Sequence, residues 1–291
     1  MSWFTEYKKS LKMTEVEEIF DLIFYRPMAF LLVKLIYRTN ITPNQLTICA
    51  IIMGIIGGFF YAHGSNNYPL PFLIGGIFLL MFNILDCSDG QLARLKKNGT
   101  HTGRIIDGAA DYIAVSAVFV GIGFGFANNT NNPELYWGLL ALTGLSNSIQ
   151  AILVDYYRTR YLDYILERKS TFEEDLEEFR TEYESLKGVK GKSFDRAIIG
   201  LYLRYSKVQN NLAAKKNSEK LFKATPEEYR FKNRRMIRFW ILLGPTSQVT
   251  TIFLCSAFNR FDLFFWIMLV GYNTLALILW LIQKQIDRKI K

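Results

Sequence analysis

Histidine and cysteine are scarce, two and three respectively among 291 residues. Cys49, Cys87 and Cys255 lie far apart, inside or beside apolar runs, which excludes a disulfide framework and a thiolate zinc site. The first 25 residues mix Lys with several Glu and lack a small-residue cleavage site after an apolar core. A signal peptide is thereby excluded, and the N-terminus is expected to stay in the mature chain. Basic residues are nearly missing from three stretches, 63–70, 128–134 and 259–262, where Arg260 is the only one of 35 Lys and Arg.

Apolar residues make up half of the chain, with 23 Phe and 16 Tyr, a balance that suits an integral membrane protein carrying a polar portion. The formal charge of +9 could suggest nucleic acid, but the basic residues cluster at the ends of apolar runs. Membrane lipids with anionic headgroups explain them better, and no nucleic-acid partner is expected.

The fold expected is an all-α integral membrane protein with six transmembrane helices, N-terminal interfacial helices and a helical insert between the fourth and fifth spans. Residues 1–40 form the amphipathic interfacial segment. Thr14 and Glu17 make a capping-box pattern before Val16, Ile19, Phe20, Ile23 and Phe24, a run that ends before Pro27; a second run covers 28–37. Packing of both runs against the bundle is the competing expectation. Residues 41–154 hold four spans, at about 45–62, 71–95, 103–127 and 135–154, the first opened by Thr42-Pro43-Asn44-Gln45. Gly54 with Gly58, and Gly121 with Gly125, are small-residue pairs suited to close helix packing. The short polar loop 96–102 is expected to make the second and third spans antiparallel neighbours.

Residues 155–236 form the polar insert and 237–291 the last two spans, about 237–258 and 261–282, with a basic tail; a kink is expected at Gly244-Pro245. In the insert, Ser170 and Glu173 give a cap, and Phe172, Leu176, Phe179, Tyr183 and Leu186 recur at helical spacing. Such a helix suits a coiled-coil-like pair, broken at Gly188-Val-Lys-Gly191, while Thr225-Pro226 opens the helix leading into the fifth span. Acids 173–178 read as a solvated face. The distribution of Lys and Arg puts both termini, the insert and the 96–102 loop in the cytoplasm.

Four aspartates stand out against this apolar background. Asp86, Asp89, Asp107 and Asp111 are spaced by three, eighteen and four residues. On helices, Asp86, Asp89, Gly90, Ala93 and Arg94 share one face, and Gly103, Asp107 and Asp111 share another. Carboxylates beside a bilayer are costly and repel one another unless protonated or bridged by cations. Oxygen ligands without a usable histidine favour Mg²⁺ or Mn²⁺ over zinc. Gly90 and Ala93 leave space for a bulky ligand to approach the backbone.

The stretch Asp86-x-x-Asp89-Gly90-x-x-Ala93-Arg94, eight residues, then Gly103-x-x-x-Asp107-x-x-x-Asp111 resembles the signature of the CDP-alcohol phosphotransferase (CDP-alcohol phosphatidyltransferase) family at all eight fixed positions over 26 residues. Pro43, Asn44 and Thr47 resemble the family's first-span segment, and the resemblance covers about 40–160 and 237–285, leaving the insert outside. It implies transfer of a substituted phosphate from a CDP-linked donor to an alcohol acceptor, with release of CMP, in phospholipid biosynthesis. It further implies a homodimer and a metal pair on Asp86, Asp89 and Asp107, with Asp111 as ligand and general base. Gly90 and Ala93 would make room for the cytidine, and Arg94 would orient the motif or contact the diphosphate. Asn44, Thr47, Gly103, Arg104 and Arg158 join the expected substrate-binding set.

Three alternatives stand beside this reading. The acids could be structural helix-end residues paired with Arg94, Lys96 or Arg104. They could be the cation site of an ion or solute transporter, although they cluster at one membrane face and the remaining spans hold almost no ionisable residue. Tyr156, Tyr157, Arg158 and Arg160 could bind a phosphate or merely anchor their helix at the headgroups.

Overall fold

A computed structural model of the protein describes residues 3–11, 13–167, 171–189, 192–193, 195–200, 202–203 and 224–290. Helices dominate these residues, and no strand occurs among them beyond the isolated bridge between Ser65 and Tyr68. Among the described residues, five helices are long and apolar enough to cross a membrane, or six when a bent pair counts as one span. The chain is thus a multi-pass integral membrane protein.

The central helix is α3, Pro43–Ala62. Its start is the expected capping box: Gln45 N donates to Thr42 Oγ1 at 3.4 Å and Thr42 N donates to Gln45 Oε1 at 2.9 Å. Helix α4, Leu70–Lys96, stops where Lys97 takes a left-handed conformation with φ 54°. Helix α5, His101–Gly125, begins at Thr100, whose hydroxyl accepts from Gly103 N at 3.0 Å.

Helices α4 and α5 are not the close neighbours expected from their short loop. Helix α3 packs along both of them, and they touch each other little directly. The small residues explain this arrangement, because a Cβ on Gly58 would strike the Ala117 backbone, and one on Gly121 the Gly58 backbone. The glycine pairs are consumed inside the bundle. Around them Phe72, Phe82, Val118, Ile122, Phe261 and Phe264 form part of the main core.

Helix α6, Pro133–Ile165, runs eleven residues past the expected end of the fourth span, so Tyr156 to Arg160 sit on a rigid helix. The insert helix α7, Thr171–Ser185, is present. Phe179 is buried against Tyr202 with ring centroids 4.7 Å apart, and the Arg196 guanidinium lies 4.6 Å from the Tyr183 ring centre. These two contacts join the helix to residues 196 and 202. Ser170 and Gly191, and the side chains of Phe172, Glu173 and Leu176, lie outside the described residues. Helix α8, Pro226–Trp240, is capped by Thr225, which accepts from Glu228 N at 3.3 Å. After the turn Ile241–Leu243 the chain bends by 43° into α9, Pro245–Ala257, at the expected Gly-Pro position. The last span, α10, is Phe261–Ile290, with a π-helical stretch at Trp266–Tyr272.

The N-terminal segment departs most from expectation. After α1, Trp3–Ser10, residues Thr14–Val16 form only a 3-10 turn without a side-chain cap. A π-helical stretch, Asp21–Tyr25, then flows into α2, Arg26–Ile36. Pro27 occupies the first turn of α2 instead of ending a helix, as suits a residue whose missing N–H is not needed there. Ile23 and Leu35 stay exposed, as an interfacial face requires, yet Glu15, Glu17, Glu18, Asp21 and Arg26 are buried. These charges turn inward because partners wait there. Glu15 takes Arg230 and the Tyr161 hydroxyl, and Glu17 pairs with Arg26 at 2.7 Å. Glu18 receives Thr246 N at 3.3 Å, Ser247 N at 3.0 Å and Ser247 Oγ at 3.2 Å, so it caps α9 from a distance. Burial pushes the Glu18 carboxyl up to about 8 and also raises Asp21.

Candidate active site

The two halves of the aspartate motif meet at the loop end of α4 and α5. One ligand oxygen from each of Asp86, Asp89 and Asp107 lies within 4.8 Å of the others, the one such convergence of acid, His or Cys groups among the described residues. Oxygens bound to one divalent cation at about 2.0–2.6 Å stand up to roughly 4–5 Å apart, so the donor set fits a hard cation. Asp111 lies one helical turn beyond Asp107, is exposed, and is near enough to Asp86 for their charges to interact.

Helix α3 supplies the floor. The Thr47 hydroxyl donates to Asp89 Oδ2, holding that carboxylate in one orientation. The Asn44 side chain lies against Gly103, where an added Cβ would stand 2.6 Å from Asn44 Oδ1. A side chain at 103 would have to displace the Asn44 amide. Space above Gly90 is open apart from the Arg94 guanidinium, whose nearest nitrogen would stand 3.4 Å from an added Cβ. Ala93 is half-buried on the same face.

The cations expected to neutralise the acids bond elsewhere. Arg94 Nε donates to Ser10 O. Lys96 Nζ donates to Thr39 O and Ile41 O, both at 2.9 Å, and ties α4 to the α2–α3 connection. Arg104 pairs with Glu178 at 3.3 Å, with its guanidinium 5.4 Å from the Phe179 ring centre. Ser10 O, the α2–α3 connection and Glu178 thus each hold one of these three cations. The four-residue group on α6 also divides. Arg160 is held by Asp287 at 2.8 Å and lies over Tyr157, whose ring stacks on Trp240, so these groups are packing elements. Arg158 makes an exposed pair with Asp155 at 3.2 Å, which an incoming anion could replace.

Two features of the site were missed in the sequence. Phe179 and Glu178 of the insert reach Arg104, and the N-terminal segment lines the rear of the motif helix. The insert helix was visible as an amphipathic pattern, but its docking place was not. Acids at 15, 17, 18 and 21 interleaved with apolar residues were the available signal for the N-terminal contribution.

Apolar helices that carry a convergent cluster of carboxylates define a multi-pass membrane protein with a donor set suited to a divalent metal. Residues 40–167 match the model of the CDP-alcohol phosphatidyltransferase family, and the chain carries a domain of that family. Among its relatives, a phosphatidylinositol phosphate synthase of Mycolicibacterium smegmatis is 29% identical over 111 residues, 38% of this chain and 46% of the relative. An uncharacterised protein of Aquifex aeolicus is 27% identical over 137 residues, 47% of this chain and 64% of the relative. A bifunctional IPC transferase and DIPP synthase of Thermococcus kodakarensis is 27% identical over 122 residues, 42% of this chain and 25% of the relative. The chain thus matches less than two thirds of the length of each. The transporter alternative finds no support among them.

Proposed function

We propose that this protein transfers a substituted phosphate from a CDP-linked donor to an alcohol acceptor, releasing CMP, in phospholipid synthesis. The observation that carries the reading is the convergence of Asp86, Asp89 and Asp107 at the meeting of the two motif halves. These three residues would hold Mg²⁺ or Mn²⁺, as two ions, with Asp111 as a further ligand. Bound metal would offset the donor's diphosphate charge and stabilise the transition state.

The chain's own groups divide the remaining work. Open space at Gly90 and Ala93 admits the cytidine, and Arg94, aimed over Gly90 by its bond to Ser10 O, sets the rim of that space. Thr47 fixes Asp89, and Asn44 with Gly103 closes α3 against α5. Asp111, exposed at the edge of the cluster, takes the proton from the attacking hydroxyl. Arg104 and Arg158 are held by solvent-exposed carboxylates and can exchange these for an acceptor phosphate. Relatives named phosphatidylinositol phosphate synthase support such an acceptor, with CDP-diacylglycerol as donor. A soluble CDP-alcohol with a lipid acceptor is the second donor mode.

The asymmetry of Lys and Arg between loops supports a cytoplasmic active site and cytoplasmic termini. The family resemblance supports a homodimer, on surfaces other than the glycine pairs used inside the bundle. The divisions 1–40, 41–154, 155–236 and 237–291 remain our functional parsing, with α6 crossing the second boundary. The test is release of labelled CMP from CDP-donors by purified protein, with and without EDTA, across candidate acceptors. Metal-dependent release with a matching lipid product is expected; a protein releasing no CMP from any donor overturns the assignment.

A further inference from the structure

The motif turn of α4 has two faces. Asp86, Asp89, Gly90 and Ala93 occupy the front, Cys87 and Gln91 point to the rear, and Arg94 stands at the edge between them, as expected for 3.6 residues per turn. Cys87, Gln91 and Arg94 all bond one segment of chain that lies before the matched domain. Gln91, fully buried, donates Nε2–H to Arg26 O at 3.0 Å. Arg94 Nε donates to Ser10 O, and Cys87 Sγ lies 3.8 Å from Asp21 Oδ1 as a weak donor. Ser88 is packed against the same segment beside Ala29 O.

That segment is itself anchored from the opposite side. Inside it, Arg26 pairs with Glu17 at 2.7 Å in a buried contact. Glu18 caps α9, and Asp21 accepts from Thr246 Oγ1 at 3.1 Å. Arg238 donates to Thr14 O at 2.7 Å. The segment is a polar brace running from the α8–α9 bend to the rear of the motif. Such a brace matters because metal sites tolerate ligand errors of only about 0.2 Å. A roll of α4 by about 10° would move a carboxylate roughly 6 Å from the helix axis by about 1 Å.

We infer that residues 10–29 position the metal-binding face of α4, with Arg26 and Gln91 as positioning residues that never touch substrate. The inference rests on the proposed metal site, and the two can fail separately. Purified protein is titrated with Mn²⁺ alone, free Mn²⁺ being read by electron paramagnetic resonance, and thermal midpoints are recorded in parallel. Gln91→Leu and Arg26→Met should weaken Mn²⁺ binding about three- to tenfold, whereas Arg26→Lys, which keeps the pair with Glu17, should stay within about twofold of wild type. Ile252→Ala, in the main core, should lower the midpoint and leave Mn²⁺ affinity unchanged. Wild-type affinity in Gln91→Leu overturns the brace, and that variant decides the matter if Arg26→Met does not fold. Wild-type protein that binds no Mn²⁺, or binds it as well as Asp107→Asn does, overturns the metal site instead.

Discussion

Two groups of acids, four in the N-terminal segment and three in the motif, behave in opposite ways. Glu15, Glu17, Glu18 and Asp21 are buried in the N-terminal segment, and each ends on a partner of opposite polarity: Arg230, Arg26, the backbone N–H groups opening α9, and the Thr246 hydroxyl. Asp86, Asp89 and Asp107 converge on one another, while Arg94, Lys96 and Arg104 bond elsewhere. Acids that each find a separate donor brace a fold. Acids that share one small volume favour a cation, because their charges repel one another at close range.

Substitutions can test that contrast. The largest effect is expected at Asp107→Asn, which removes a ligand oxygen's charge from the convergent group. CMP release should fall by more than about a hundredfold while membrane insertion and gel-filtration profile are retained. Near-normal release would place Asp107 with the bracing acids.

Thr47→Val keeps the shape of the side chain and deletes the hydroxyl that orients Asp89. The metal concentration giving half-maximal CMP release should rise about tenfold, the usual scale for a group that orients a ligand. An unchanged metal dependence would show that Asp89 is held by its other contacts.

The smallest expected effect lies among the bracing acids and concerns stability. Glu18 titrates at about 8 in the fold against an ordinary value near 4.5, so the folded state holds an extra proton between these values. Its contribution is fully present below the unfolded value and is lost as pH rises through about 8. The neutral isostere Glu18→Gln should therefore flatten the decline of Tm between pH 6 and 9. Parallel declines in both proteins would show that Glu18 is already ionised in the fold.

The motif was legible because its chemistry is local. Asp86 with Asp89, and Asp107 with Asp111, share helix faces by spacing alone, and Thr42 with Gln45 writes its own helix start. The N-terminal capping pattern misled for a complementary reason. Thr14 and Glu17 have the right spacing, but Glu17 is claimed by Arg26 and Glu15 by Arg230, remote partners that override a local cap. Lys96 as a partner for the aspartates and Arg160 as a phosphate ligand failed for the same reason: spacing reveals which charges lie near a site but not which carbonyl or carboxylate lies nearer.

What the sequence determined by itself is what depends on periodicity and composition: apolar helices long enough to cross a bilayer, the caps that begin them, and four aspartates at helical spacing. Only the tertiary structure decided that α3 separates α4 from α5, that the insert reaches Arg104, and that the N-terminal segment braces the rear of the motif. These are contacts between residues as many as 229 positions apart, as Ser247 with Glu18, and their choice depends on which buried donors and acceptors remain unsatisfied after the helices have formed.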